Sequence, residues 1–431
     1  MGFASRSLPP HHPAERISRE MPAEALKCKE CSTTYPLEAL YVCERCFGPL
    51  EVAYRPPGSS ADELRRRIQA GPATLWRYAD FLPLERVPRA SLPTGLTPLV
   101  RADRLAERLG LGELWIKNET ANPTHSFKDR VVSVALARAV ELGFGTVACA
   151  STGNLAGAVA AHAAYAGLPA YVFIPADLEP EKVLSAGAYG AQIVGVRGNY
   201  DAVNRLCTEL SGERDGWAFV NVNLRPYYAE GSKTLAYETA EQLGWELPDR
   251  VVAPIASGSL FTKVARGFQE FIDAGLVGGA LPTMNGAQAE GCAPVAQAFA
   301  EGTDVCRPVR PDTIAKSLAI GNPADGPYAA ELARRTEGSV DAVSDDEICA
   351  GIRLLAETTG IFTETAGGVT TAVLAKLAEA GAIGFDDRVV VVITGEGLKT
   401  LDAVRDGFEI AEIEPTVESF EATVTGAGVT A

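Results

Sequence analysis

One lysine stands where a proline-broken loop becomes an apolar helix, in the run Asn122, Pro123, Thr124, His125, Ser126, Phe127, Lys128, Asp129, Arg130. Residues 114–117 read as a short strand, and Pro123 bars helix until after it. Beyond it Val131, Val134, Ala135 and Ala139 recur at helical spacing. Lys128 therefore falls in the first helical turn, where the positive end of the helix dipole disfavours a cation. The same field, with burial, would lower its pKa from about 10.4 and supply the neutral amine that a Schiff-base nucleophile needs. The alternative is a solvated lysine closing a loop.

If Lys128 forms an imine with pyridoxal phosphate, other segments must supply a phosphate cradle and partners for the ring oxygen and ring nitrogen. Three loops are candidates. Ala256, Ser257, Gly258, Ser259 and Leu260 follow a strand and precede a helical stretch, so their backbone N–H groups and the helix dipole suit an anion, although Ser/Gly turns after strands are also common. Ser151, Thr152, Gly153 and Asn154 open an alanine-rich helix, either as carboxylate ligands or as an ordinary N-cap cluster. Thr394, Gly395, Glu396 and Gly397 lie at the carboxyl end of a strand, where open parallel sheets place ligands. A threonine hydroxyl there would pair with a largely unprotonated pyridine nitrogen and temper the electron sink.

A second chemistry is written in cysteines. Cys28-x-x-Cys31 and Cys43-x-x-Cys46 form two knuckles separated by eleven residues, a spacing that lets four thiolates reach one tetrahedral Zn²⁺. All four positions would come from protein, so the metal would be structural. A redox dithiol does not explain a doubled motif. The ribbon has only Lys27, Lys29 and Arg45 among acidic neighbours, too little positive charge for nucleic acid.

The elements around these residues repeat as apolar strand, glycine turn and alanine-rich helix: strand 146–150 with helix 155–166, and strand 170–174 with helix 180–187. This pattern predicts parallel βαβ units. Further strands are expected at 192–196, 250–253 and 388–393, the last apolar enough for a fully buried central strand. Residues 1–22 read as a mobile leader and 23–56 as the zinc ribbon. A linker and arm follow at 57–95, with a short charged helix over 61–70. The catalytic core spans 96–415, with a smaller mobile subdomain at about 135–230, and 416–431 form a tail.

At 431 residues and 47% hydrophobic composition the chain can bury a sizeable core. Its 42 glycines and 27 prolines are dispersed, as turns of an α/β enzyme require. A net charge of −16 argues against a nucleic-acid or anionic-membrane partner. No apolar run is long enough to span a bilayer, and nine cysteines fit a cytoplasmic protein whose thiols stay reduced or bind metal.

Taken together, the loops resemble the fold type II family of pyridoxal-phosphate enzymes, and within it the threonine synthases. The likeness runs from Thr97, Pro98 and Leu99 through Ser126 to Arg130, Ser151 to Asn154 and Glu230 to Thr234, ending at Thr394 to Lys399. It implies two open parallel-sheet domains with the cofactor between them, plus the N-terminal ribbon, and a homodimer. Lys128 would hold the cofactor, Phe127 pack near its ring, Asn154 contact the ring hydroxyl and Thr394 face the ring nitrogen. Residues 256–260 would take its phosphate, and Ser151 and Thr152 the substrate carboxylate. The substrate implied is O-phospho-L-homoserine, which loses phosphate by γ-elimination before water adds at the β-carbon to give threonine, with the released Lys128 amine moving protons.

The chain departs from the family pattern at His125, at Leu155, at Ser257 to Leu260 and at Glu396. Leu155 replaces a hydroxyl residue that tends to touch substrate phosphate, so Arg225 and Lys233 become the candidates for that contact. His125 is either a side chain at the helix start or a base. The same machinery would also suit β-replacement on O-phosphoserine, as in cysteate synthases, or dehydration of a hydroxy amino acid. A non-catalytic module that keeps the fold and recruits a partner through its ribbon is the reading from another class.

Overall fold

The apolar run at residues 388–393 becomes the middle of a mixed sheet. In the computed structural model, which describes residues 21–178, 183–198, 200–405, 407–408 and 410–425, thirteen strands are found. They are β1 (Ala23–Cys28), β2 (Thr34–Tyr35), β3 (Leu50–Tyr54), β4 (Leu99–Arg101), β5 (Glu113–Asn118), β6 (Thr146–Ala150), β7 (Ala170–Pro175), β8 (Gln192–Val196), β9 (Trp217–Phe219), β10 (Arg250–Pro254), β11 (Thr283–Ala289), β12 (Val340–Val343) and β13 (Arg388–Ile393). The larger sheet has the order β12-β11-β10-β13-β5-β4, parallel except for β4. The smaller, wholly parallel sheet has the order β8-β7-β6-β9. Residues 389–393 of β13 are all buried, as a strand covered on both faces demands.

This topology positions the candidate loops. After β5 the chain leaves the larger sheet, builds the smaller one, and returns at β10. Strand β13 then inserts between β10 and β5, so three adjacent parallel strands end side by side. The Lys128 loop follows β5, the 256–260 loop follows β10, and Thr394 follows β13. The Ser151 loop follows β6, an inner strand of the smaller sheet. Ligand crevices form at such strand ends where the order reverses.

The expected strands and the helices at 61–70 and 155–166 are present, the latter as Asn154–Ala166. The helix expected over 180–187 is found as Leu184–Ala188, and residues 179–182 lie outside the described part. Strands β11 and β12 were not expected from sequence. Thr283–Ala289 carries Asn285 and Gln288, buried polar residues that hide its strand character, and the Gln288 side-chain oxygen accepts from the N–H groups of Val295 and Ala296. Of the expected leader only Met21 and Pro22 are described; in the tail a short helix, Val417–Phe420, stands where no structure was expected. Among the described residues, no helix is long and apolar enough to cross a membrane.

Behind the Lys128 loop lies a buried ion cluster. The Arg130 guanidinium bonds to Glu119 at 2.5 and 2.8 Å and to Glu238 at 2.6 and 2.6 Å, and Lys117 meets Glu238 at 2.8 Å, all four side chains fully buried. Burial opposes the Glu238 charge, but Arg130 and Lys117 outweigh it and hold its carboxyl at about 2.

Candidate active site

Lys128 is the first residue of the helix Lys128–Glu141. The turn before it is locked by the next residue: the Asp129 carboxylate accepts from the Thr124 N–H at 2.8 Å and the Thr124 hydroxyl at 2.9 Å, and lies 2.8 Å from His162 Nε2. Asp129 also places a negative charge in the first helical turn, which offsets the unfavourable position of the lysine. The Lys128 amine lies 5.3 Å from the Phe127 ring centre and 5.9 Å from that of Tyr228, and has no hydrogen-bond partner among the described residues. Lys128 itself is half-buried.

The β13 loop clasps the lysine loop. Phe127 N–H donates to the Thr394 carbonyl at 2.9 Å, Ser126 bridges to Gly395, and Glu396 N–H donates to the His125 carbonyl at 3.1 Å. Thr394 is nearly buried, with no partner for its hydroxyl among the described residues. His125 is exposed at φ +60°, its backbone serving the clasp and its ring 3.3 Å from the Thr120 carbonyl.

Two residues that sequence reasoning passed over complete this region. The Lys399 ammonium donates to the carbonyls of Thr124 and His125 at 2.8 and 3.1 Å and to Asn154 Oδ1 at 2.8 Å. The Asn154 amide donates to both oxygens of Glu364 at 3.0 and 2.9 Å. Burial raises the Glu364 pKa, while the Asn154 amide and the Lys399 charge pull against it. Burial likewise lowers the Lys399 pKa. Lys399 was read only as the end of a motif, and Glu364 carried no signal beyond a carboxylate preceding a Gly/Thr-rich helix.

The helix Asn154–Ala166 has Gly153 at its cap; the Gly153 N–H donates to Ser151 Oγ at 3.4 Å, while the Thr152 hydroxyl makes no cap bond. The 256–260 loop has the form of an anion cradle. Gly258, at φ +94°, caps the helix Ser259–Asp273, and the Ser259 N–H donates to Ser257 Oγ at 3.4 Å. A Cβ on Gly258 would lie 2.6 Å from the Asp325 carbonyl, so only glycine lets the loop close there. Arg225, half-buried, pairs with Asp325 at 2.9 Å and shares a cleft with Ser259.

Lys233 does not join the site, and its expected substrate role is corrected. Its fully buried ammonium is bound to Glu230 at 2.6 Å, to Glu270 at 3.0 Å and to the Phe81 carbonyl at 3.1 Å, tying helices together instead of facing the crevice. Leu155 is buried in the cluster that contains Phe127.

The residues fit pyridoxal phosphate: an unbonded amine beside two rings, a glycine-opened turn at a helix N-terminus, and the buried Ser126 hydroxyl without a partner beside the lysine. The four cysteines fit a metal as well. Their sulfurs lie within 4.8 Å of one another, with Cys28–Cys46 at 3.5 Å and Cys31–Cys43 at 3.6 Å. A tetrahedron with ~2.3 Å Zn–S bonds has edges of about 3.8 Å.

The family model "Pyridoxal-phosphate dependent enzyme" matches residues 90–395. The threonine synthase of Methanosarcina acetivorans is 39% identical over 395 residues, covering 91% of this chain and 95% of its own length. That of Mycobacterium tuberculosis is 35% identical over 342 residues, 78% of this chain and 92% of its own. Among solved structures, threonine deaminase isoform 2 from Solanum lycopersicum superposes with a TM-score of 0.60 at 23% identity, covering 82% of this chain and 96% of that one. An O-ureido-L-serine synthase superposes with a TM-score of 0.60 at 20% identity, over 78% and 100%. At these identities the solved structures establish the fold alone.

Proposed function

We propose, from the premise that this chain belongs to the pyridoxal-phosphate-dependent enzyme family and within it to the threonine synthases, that it converts O-phospho-L-homoserine and water to L-threonine and phosphate. The observation that carries this reading is the meeting of the Lys128, Thr394 and 256–260 loops at the ends of three adjacent strands. Pyridoxal phosphate, when bound, withdraws electrons from the substrate's α-carbon and so stabilises negative charge there.

The chain's own residues do the rest. Lys128 would hold the cofactor covalently and, once free, its amine is the group placed to carry protons among the α, β and γ carbons. Phe127 limits where the ring sits, Thr394 offers a hydroxyl to the ring nitrogen, and the Gly258 cradle takes the cofactor phosphate. Asn154, held by Glu364 at its amide nitrogen and by Lys399 at its oxygen, would offer an amide N–H to the ring oxygen, so the Glu364–Asn154–Lys399 chain orients that contact. Ser151 and Thr152, whose hydroxyls can still donate, suit the substrate carboxylate. With Leu155 apolar, Arg225 is the cation for the substrate phosphate. Zn²⁺ would be held by Cys28, Cys31, Cys43 and Cys46 as a closed structural centre.

Purified protein is assayed with O-phosphohomoserine and, separately, O-phosphoserine, measuring threonine and phosphate. Threonine from the first supports the reading; phosphate released only from the second replaces it with β-replacement chemistry. Lys128→Ala is expected to abolish both product formation and the cofactor's visible absorbance, and an unchanged spectrum refutes the lysine assignment.

A further inference from the structure

Among the contacts that dock the ribbon on the catalytic body are those of the two residues between its first pair of cysteines. Lys29 bonds to Asp325 Oδ1 at 3.3 Å and lies 3.5 Å from the centre of the Tyr328 ring, while the Tyr328 hydroxyl donates to Glu30. Gly48, in the other knuckle, is required by this packing: a Cβ there would stand 2.6 Å from Glu30 Cγ and 3.0 Å from the Cys28 sulfur. The metal-binding turn therefore packs closely around Cys28 and Glu30, the two residues that flank Lys29.

Asp325 is the residue that gives this docking a consequence. Its Oδ2 accepts from Arg225 at 2.9 Å, its N–H donates to the Ser257 carbonyl at 2.8 Å, and its own carbonyl packs against Gly258. One carboxylate thus carries a ribbon cation on one oxygen and an active-site cation on the other, directly behind the anion cradle. The same cleft holds Lys263, which is occupied by Glu230 at 2.6 Å and Glu51 at 3.7 Å and so is not a free counter-ion.

We propose that Lys29 is a positioning residue for the phosphate ester site: by sharing Asp325 with Arg225, it leaves Arg225 free to turn to an incoming phosphate, and the zinc ribbon thereby sets the anion affinity of the active site. The proposal rests on the reading of Arg225 as a phosphate ligand. A carboxylate with two cations holds each less firmly than a carboxylate with one, because each cation screens the other's attraction. Without Lys29, Asp325 draws Arg225 inward and away from substrate.

The test is titration of zinc- and cofactor-loaded protein with inorganic phosphate by calorimetry. Lys29→Gln is expected to weaken phosphate binding roughly fivefold, the scale of one partly exposed ion pair, and Lys29→Arg to restore it. In an Asp325→Asn background the carboxylate that captures Arg225 is gone, so Lys29→Gln should then change affinity by less than about twofold. No weakening in Lys29→Gln overturns the proposal, as does a weakening that persists undiminished in Asp325→Asn, which would make Lys29 a direct ligand. Arg225→Gln separates the two levels: if it leaves phosphate affinity unchanged, the assignment of Arg225 itself fails, whereas a loss there without any effect of Lys29→Gln removes only the role of the ribbon.

Discussion

Arg130→Met tests the ion cluster that backs the lysine loop. The guanidinium makes six hydrogen bonds, two each to Glu119 and Glu238 and one each to Thr97 and Thr234, with no exposed surface. With Lys117 the four charges sum to zero. Methionine fills much of the aliphatic stem, so little cavity cost is added, but two buried carboxylates then face one ammonium. Removing one partner of a buried pair costs about 3–5 kcal/mol, a large part of the ~5–15 kcal/mol that holds a domain folded. At a urea slope of about 1–3 kcal/mol per molar, the midpoint should fall by about 1 M or more. The decisive comparison is the double variant Arg130→Met with Glu238→Gln, which restores neutrality with Lys117 against Glu119. If the unpaired charge is the cause, the double variant regains at least half of the lost midpoint. A double variant no more stable than Arg130→Met would refute the charge argument and make lost hydrogen bonding the cause. A single variant within about 0.3 M of the parent would refute it altogether.

Gly258→Ala must place a side chain at φ +94° against the Asp325 carbonyl, so cofactor affinity measured by equilibrium titration should fall at least about tenfold, and unchanged affinity would mean that this loop is not the cradle. Burial opposes the Glu230 charge, but Lys233 and Lys263 hold its carboxyl at about 2 against an ordinary 4.5. A depressed carboxyl adds stability that is complete above its unfolded value and is lost as pH falls toward its folded value. Acid unfolding should therefore steepen between pH 4.5 and 2, and Glu230→Gln should flatten that window; a slope equal to the parent's would remove the assignment. Cys43→Ser should abolish a zinc content of one per chain, read by metal analysis, and full metal retention would show that the four-cysteine site is not the binding centre.

Much of the site was legible before any coordinates. Lys128 was visible because a cation in the first turn of an apolar helix conflicts with the helix dipole, and such conflicts between local preference and position mark function. The 256–260 loop and the doubled cysteine pairs were readable as candidates because their chemistry is local: a Ser/Gly loop between a strand and a helix, and ligand spacing within nineteen residues. The strands of the parallel sheets were readable wherever both faces are apolar. Strand β11 was not, because its buried Asn285 and Gln288 find their partners only in the folded sheet.

Local order could say which residues carry chemistry; it could not say which of them meet. Lys233 and Arg225 looked alike as cations near one motif, yet the fold buries the first among Glu230, Glu270 and the Phe81 carbonyl and leaves the second half-open beside the cradle. Glu364 reaches Asn154 across 210 residues, and Lys29 reaches Asp325 across 296. Those contacts are decided by how the two parallel sheets and the ribbon pack, because Asn154 follows a strand of the smaller sheet and Lys29 lies in the ribbon. The sequence by itself determined the parallel α/β class and singled out Lys128 as the candidate for the cofactor and the four cysteines as candidate metal ligands, all from nearest-neighbour chemistry. Only the tertiary structure decided the partners, since burial and charge pairing depend on which surfaces the sheets enclose.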